Sequence, residues 1–185
     1  MGALRRVIAA LGTVPLAVIG LDGVAEASHG SGHWRGAGVR IVTVEGRGID
    51  TSEAATVWSA TDRLELVATV GSGGCETVPG RIVVCIGDPW GYGQPAAIPQ
   101  LDLGRHISSC VAAIPPQFLS SSEFAGVVNH EVGHCLGLGH RELESRSVMG
   151  YADNRYPDAH DLDEIRNHHG HDDGPPLCLL FLCLL

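Results

Sequence analysis

Residues 130–140 carry three histidines and one glutamate at fixed spacing, and this segment constrains the fold more than any other part of the chain. It reads His-Glu-Val-Gly-His-Cys-Leu-Gly-Leu-Gly-His. On a helix, His130 and His134 lie four residues apart on one face, so both imidazoles can reach one ion, and Glu131 lies beside them. Gly137 can adopt the positive φ that ends a helix in a sharp turn. That turn can bring His140 back as a third ligand.

This set of side chains predicts a metal site with an open coordination position. Three imidazole nitrogens bind Zn²⁺ at about 2.0–2.1 Å and leave a fourth position for water, as in catalytic zinc sites. We therefore predict Zn²⁺ on His130, His134 and His140, with Glu131 as the general base toward water. Imidazole also suits other metals, so the choice of ion stays open on this ground. The alternative interpretation is a helix that carries surface histidines and no metal.

The same segment, followed by a methionine downstream, resembles the signature of the metzincin zinc peptidases. That signature is H-E-x-x-H-x-x-G-x-x-H with a Met-turn, and residues 147–151, Ser-Val-Met-Gly-Tyr, are similar to the turn. Over about residues 39–170 the chain looks most like a small secreted matrixin-like enzyme. The resemblance implies an α+β, zincin-like domain with a mixed, twisted sheet of about five strands and three helices. It also implies that Met149 is an apolar platform under the histidines.

The turn departs from the matrixin pattern at its end. Met149-Gly150-Tyr151 differs from the Met-Tyr-Pro of matrixins and is closer to the Ser-x-Met-x-Tyr of astacins and serralysins. In those groups the tyrosine can contact zinc, so the resemblance implies that Tyr151 is a fifth ligand or stabilises the transition state. The alternative is a tyrosine that packs against the cleft. Arg141, directly after the third histidine, matches no subfamily pattern.

The N-terminal residues have the pattern of a secretory signal peptide. Arg5 and Arg6 precede an apolar run, and Ala25-Glu26-Ala27 matches a small-x-small cleavage site. An N-terminal membrane anchor is the alternative. The expected organisation is a signal peptide at 1–27, a mature N-terminal segment at 28–38, a catalytic domain at 39–170, and a linker with an apolar tail at 171–185.

The apolar tail is too short to span a membrane. Residues 177–185 would extend at most about 13 Å as a helix, whereas a bilayer core is about 30 Å thick. We therefore assign the tail no function.

Six cysteines in an exported chain favour disulfides. If the tail pair Cys178 and Cys183 is set aside, the other four cysteines allow three connectivities. We favour Cys75–Cys85, which closes a short loop, and Cys110–Cys135, which ties a strand to the metal-site helix. The other two connectivities stay open.

Local patterns predict the remaining elements. Alternating and β-branched segments predict strands at 39–44, 64–70, 81–86 and 106–114, with an edge strand within 96–103. A helix is predicted at 53–61, and another at 157–169 with Gly170 as its C-cap. Ser120 and Glu123 form a capping-box pattern, which predicts that the metal-site helix begins there and runs to about residue 136.

Charge and composition exclude several functions. The chain has 12 basic against 21 acidic residues, a net charge of −9, and every basic residue is an arginine. An acidic balance argues against nucleic-acid binding, which needs an excess of positive charge. The lack of lysine excludes Schiff-base catalysis.

These patterns together predict a secreted, monomeric zinc endopeptidase that acts on protein or peptide substrates. The substrate would lie extended along the edge strand. The alternative is a metzincin-fold protein that binds zinc, cleaves nothing and serves as a binding module. Two more metal sites are hypotheses: structural Ca²⁺ in the loop 87–102, and a second metal at His168, His169 and His171 with Asp172 and Asp173.

Overall fold

The computed structural model describes residues 32–36, 38–102, 106–142, 146–150 and 154–170. Within these ranges the chain forms one six-stranded sheet and three α-helices. The strands are β1 (His33–Trp34), β2 (Arg40–Arg47), β3 (Leu64–Val70), β4 (Arg81–Ile86), β5 (Ala96–Leu101) and β6 (His106–Ile114). The helices are α1 (Ser52–Trp58), α2 (Phe124–Cys135) and α3 (Ala159–His168). The predicted signal peptide, Tyr151 and the apolar tail lie outside the described residues.

The sheet is mixed and mostly parallel. Its strands follow the order β1-β6-β4-β2-β3, and each of these neighbouring pairs is parallel. β5 pairs antiparallel with β6. The structure confirms an α+β chain with three helices in the described residues. It adds β1, whose two residues are too few to show an alternating pattern in the sequence.

The core lies between one face of the sheet and the helices. Val44, Ile82 and Ile114 from the sheet and Trp58 and Val132 from the helices are all fully buried there. A smaller apolar cluster, which includes Val83 and Val111, covers part of the opposite face, and Trp90 packs against this cluster. β4 is consequently buried on both faces, which explains its nearly continuous run of apolar residues.

Strands β3, β4 and β6 have the predicted bounds, and the other predicted elements are displaced at their ends. β2 begins at Arg40 and continues to Arg47, because its last residues pair with both β3 and β4. α1 ends at Trp58, short of the predicted residue 61. β5 ends at Leu101, next to an irregularity in its register with β6.

The predicted capping box at Ser120 is wrong. A 3₁₀ turn at Pro116–Phe118 precedes the helix, and the Ser121 hydroxyl accepts a hydrogen bond from the Glu123 amide at 3.0 Å. α2 therefore starts at Phe124, and its N-cap residue Glu123 makes no capping bond with its side chain. The serines that the pattern assigned to the start of the helix lie instead in the turns that precede it.

The last helix begins two residues later than predicted, and its C-cap is His169 rather than Gly170. Asp158 caps its first turn. The Asp158 carboxylate accepts from the amides of His160 and Asp161 at 2.9 and 3.0 Å, and the Asp161 carboxylate accepts from the Asp158 amide at 2.9 Å. This reciprocal pair is a capping box formed by two aspartates.

The structure confirms both favoured disulfides, Cys75–Cys85 and Cys110–Cys135. The second joins β6 to the last residue of α2 and so holds the metal-site helix against the sheet. Among the described residues, none of the helices combines the length and apolar character needed to cross a bilayer.

Candidate metal centre

Helix α2 carries the first two histidines and is held at several points along its length. Val128, Val132 and Cys135 face the core, and Trp58 Nε1 donates to the Asn129 carbonyl at 2.9 Å. The helix ends as predicted, because Gly137 has a φ of +94°. Its backbone then turns back sharply, with the Leu138 amide donating to the Gly133 carbonyl at 3.1 Å.

The turn brings the three predicted ligands together. His134 Nε2 lies 3.0 Å from His130 Nε2 and 3.1 Å from His140 Nε2. Among the described residues, this is the one group of three or more metal-ligating side chains whose donor atoms lie close to one another, all within 4.8 Å.

Backbone carbonyls orient two of the rings. His130 Nδ1 donates to the Val148 carbonyl at 2.7 Å, and His134 Nδ1 donates to the Leu138 carbonyl at 2.8 Å. With the proton on Nδ1, each Nε2 presents a lone pair to the centre of the cluster. Such outer hydrogen bonds are the usual means of fixing the tautomer of a metal-ligating histidine.

These nitrogens fit one metal ion. Two lone pairs that face each other at 3.0 Å repel, and a cation between them removes the repulsion. Three ligands about 2.0–2.1 Å from a tetrahedral ion lie roughly 3.3 Å from one another, close to the separations seen here. The residues present therefore suit Zn²⁺ or another imidazole-preferring metal, and the geometry leaves the identity of the ion open.

The electrostatic environment keeps these imidazoles neutral. Burial, together with the neighbouring His130 and His140, lowers the pKa of His134 to about 4. Burial also lowers the pKa of His130 and of His140 below the ordinary value. Neutral imidazole is the form that binds metal, so the site is ready to bind at neutral pH without first losing a proton.

Glu131 lines the same cleft as the three histidines and is 5% exposed. Burial raises the pKa of its carboxyl group to about 8. Its Oε2 atom is buried and makes no hydrogen bond to the described residues. A positive ion on the adjacent histidines would lower this pKa and favour the carboxylate.

Met149 is fully buried against α2. A Cβ atom on Gly133 would lie 2.4 Å from the Met149 sulfur and 2.8 Å from Trp58 Cζ2, so only glycine fits between the two ligating histidines of the helix. The structure thus places Met149 against the helical turn that carries His130 and His134. Its role as a platform under a metal site stays a prediction. The role of Tyr151 stays a prediction.

The cleft in front of the histidines has a volume of about 1120 Å³. Residues of β5 line one side of it, and Gly150, Asn154 and Arg155 line another. These three residues form a wall of the cleft on the chain that follows Met149. In the described part of the chain β5 pairs only with β6, so its second edge is open.

Sequence reasoning missed the network that holds this wall. Arg155 forms an ion pair with Glu53 on α1, and its Nε lies 2.7 Å from Glu53 Oε1. Asn129 of α2 donates to the same Glu53 oxygen at 3.2 Å and to the Arg155 carbonyl at 2.7 Å. The hydrogen bond from Arg155 lowers the pKa of Glu53. No local pattern could reveal the pair, because 102 residues separate its members.

The hypothesis of a calcium site in the loop 87–102 gains no support. Both oxygens of Asp88 accept backbone amides of the same loop, those of Tyr92 and Gly93, at 2.9 and 2.8 Å. Asp102 accepts from the His106 amide and pairs with Arg35. Of the hypothetical second metal site, His171, Asp172 and Asp173 lie outside the described residues.

No protein-family model matches this chain, and no curated protein matches it. The assignment of a function therefore depends on the residues and geometry of the site.

Proposed function

We propose that this chain is a secreted zinc-dependent endopeptidase, a small matrixin-like member of the metzincin clan. One observation carries the proposal: the Nε2 atoms of His130, His134 and His140 converge beside the buried carboxyl group of Glu131 in an open cleft. A metal site that only stabilises the fold is usually closed by four protein ligands, whereas this group has three.

The histidines would hold the ion, and the other residues would perform the remaining steps. Bound Zn²⁺ supplies Lewis acidity, which lowers the pKa of water to about 7 and polarises a peptide carbonyl. Glu131 Oε2, which has no hydrogen-bonding partner among the described residues, would accept the proton of the attacking water and pass it to the departing amine nitrogen.

The open edge of β5 supports a peptide substrate. An extended chain beside this edge can form main-chain hydrogen bonds as an added strand, and these bonds do not depend on side-chain identity. The cleft then receives the side chains on one side of the cleavage point. We propose a monomer acting on protein or peptide substrates.

Secretion is supported by the disulfides. Two disulfides in the described residues fit an oxidising compartment, in line with the signal-peptide pattern at 1–27.

The central test is cleavage of a mixed peptide library by the purified mature protein, with and without a chelator. We expect cleavage that stops on chelation and returns with Zn²⁺. Glu131→Gln should retain Zn²⁺ and lose activity by about 10²-fold or more, because a positioned general base contributes about 10²–10⁴-fold. His134→Ala should lose both Zn²⁺ and activity.

Glu65→Gln, an exposed change of the same type on β3, is the matched control and should keep full activity. Cleavage that persists in chelator, or full activity of Glu131→Gln, contradicts the proposed mechanism. Zinc binding with no cleavage of any peptide contradicts the peptidase proposal and supports a binding module instead.

A further inference from the structure

Arg141, which matches no subfamily pattern, is joined to two structures beside the metal centre. Its backbone amide donates to the Met149 carbonyl at 2.9 Å. Its Nη1 atom lies 2.9 and 2.8 Å from the two carboxylate oxygens of Asp158 and 3.5 Å from Asp161 Oδ1. The residue directly after the third histidine is thus attached both to the Met149 turn and to the start of α3.

The position of His140 depends on such attachments. His130 and His134 belong to α2, whose internal hydrogen bonds fix their backbone. His140 follows the turn at Gly137, outside the helix, where no helical hydrogen bonds hold the chain. On one side of His140 the chain is fixed by the bond from the Leu138 amide to Gly133, and on the other by Arg141.

The partners of Arg141 are themselves fixed. Asp158 is the N-cap of α3, and Asp161 is fully buried. Asp161 Oδ2 accepts from the Ser147 hydroxyl at 2.5 Å, and the Ser147 hydroxyl oxygen accepts from the Met149 amide at 2.8 Å. The contacts therefore form a closed ring through Arg141, both aspartates, Ser147 and Met149.

Arg141 supplies the positive charge in this ring. Two carboxylates lie within 4.0 Å of its Nη1 atom, and the Asp161 side chain is only 1% exposed. A buried carboxylate without a cation is unfavourable. Without the guanidinium, Asp158 and Asp161 would repel each other and this set of contacts would open. The segment that carries His140 would then lose its attachment to the start of α3.

We propose that Arg141 is a positioning residue for the metal centre: through its ion pair with Asp158 and Asp161 it places His140 and so raises metal affinity. The proposal depends on the metal-binding part of the proposed function and does not require peptide cleavage. It predicts an effect on metal affinity and ligand geometry, and both can be measured without a substrate.

The test measures Zn²⁺ affinity by chelator competition, and the visible absorption of the Co²⁺-loaded protein, for three variants. Arg141→Ala should weaken Zn²⁺ binding by about 10-fold, the lower end of the 10–100-fold seen when a direct hydrogen-bonding partner of a metal ligand is lost, because Arg141 acts through the backbone. Arg141→Lys retains the charge and should lose less. Asp158→Asn should also weaken binding, although asparagine still caps the helix.

The Co²⁺ spectrum distinguishes positioning from general stability, because its ligand-field bands respond to the arrangement of the ligands. We expect the bands of Arg141→Ala to change in position or intensity. The matched control is Arg166→Ala, which removes an arginine that pairs with Asp163 on α3, and it should bind Zn²⁺ within about twofold of the unmodified protein.

Arg141→Ala with unchanged Zn²⁺ affinity and an unchanged Co²⁺ spectrum overturns the proposal. If that variant does not fold, Asp158→Asn and Arg141→Lys decide by the same two measurements. An unmodified protein that binds neither Zn²⁺ nor Co²⁺ overturns this proposal and the proposed function together. Metal binding by the unmodified protein, with equal binding by every Arg141 and Asp158 variant, overturns the positioning role alone.

Discussion

The imidazoles of His130 and His134 are oriented by main-chain carbonyls, those of Val148 and Leu138. A carbonyl acceptor cannot be removed by changing a side chain, so the orientation of these rings depends on the path of the backbone. That path is set by the turn after α2 and by the turn around Met149. At the scale of single residues, the glycine and the buried polar groups of these turns therefore help to determine the orientation of the histidine side chains.

Gly137→Ala tests the turn that returns His140. At φ +94°, alanine is strained by about 1–2 kcal/mol, and its Cβ would lie 2.1 Å from the Gly32 carbonyl oxygen. Overpacking typically costs a further 1–3 kcal/mol or so. We expect a lower free energy of unfolding, measured by denaturant titration, together with weaker Zn²⁺ binding.

Gly80→Ala is the matched control for Gly137→Ala. Gly80 has a φ of +74°, and a Cβ atom there would meet nothing within 4 Å. This variant should show only the backbone strain of about 1–2 kcal/mol and normal Zn²⁺ affinity. Equal effects of the two substitutions on stability and on Zn²⁺ binding would show that the contact with Gly32 is unimportant.

At the scale of elements, α2 is the part that connects the sheet to the metal centre. Its last residue, Cys135, is bonded to Cys110 in β6, and the Cys135 carbonyl accepts from Trp34 Nε1 of β1 at 2.9 Å. Both contacts lie next to His134. The sheet and the N-terminal strand therefore fix the end of the helix next to His134.

The two disulfides should have different consequences for the metal site. In the chain-entropy model, replacing Cys110 and Cys135 by alanine costs about 3.5 kcal/mol, and replacing Cys75 and Cys85 costs about 2.7 kcal/mol, from loop lengths of 25 and 10 residues. Only the first pair adjoins a ligand. We expect both double variants to be destabilised in denaturant titrations, and Zn²⁺ affinity to fall only when the first pair is removed.

Weaker Zn²⁺ binding by the Cys75 and Cys85 variant would contradict this separation, because that pair lies with the cluster on the opposite face of the sheet.

At the scale of the whole molecule, the first and last described segments meet at His169. The guanidinium of Arg40 donates to the carbonyls of Trp34 and Gly36, each at 2.7 Å, and also to the carbonyl of His169. The His169 side chain is buried. Burial, followed by the charge of Arg40, lowers the pKa of this imidazole to about 4, with smaller contributions from His33 and His168.

His169 should make the stability of the fold depend on pH. Its pKa is about 4 in the folded chain and about 6.5 when unfolded, so between these values the unfolded chain binds the proton more readily. Its contribution to stability is therefore complete above about pH 6.5 and is lost as the pH falls toward 4. A pKa difference of this size corresponds to a loss of roughly 3 kcal/mol of unfolding free energy at most.

We expect His169→Gln to show a smaller loss of unfolding free energy between pH 7 and pH 4 than the unmodified chain. The measurements are made in chelator, so that metal release does not contribute. His160→Gln, at an exposed position on the same helix, is the control and should retain the full pH dependence. Identical slopes for His169→Gln and the unmodified chain would rule out this role of His169.

The sequence by itself determined the set of candidate metal ligands. Helical spacing places His130 and His134 on one face, and a glycine at position 137 permits the turn toward His140, because both are properties of a few consecutive residues. Strands β3, β4 and β6 were predictable for the same reason, since their apolar runs are local. The disulfides needed one further step, a choice among three connectivities.

Only the tertiary structure decided what holds these residues in place. The acceptors at Val148 and Leu138, the attachment of Arg141 to α3, and the Glu53–Arg155 pair that supports the cleft wall join segments brought together by the fold. Local periodicity cannot encode such contacts, because they depend on how the turns after α2 and around Met149 pack against other elements. The start of α2 was mispredicted for a related reason, since the preceding 3₁₀ turn shifts the helix by a few residues.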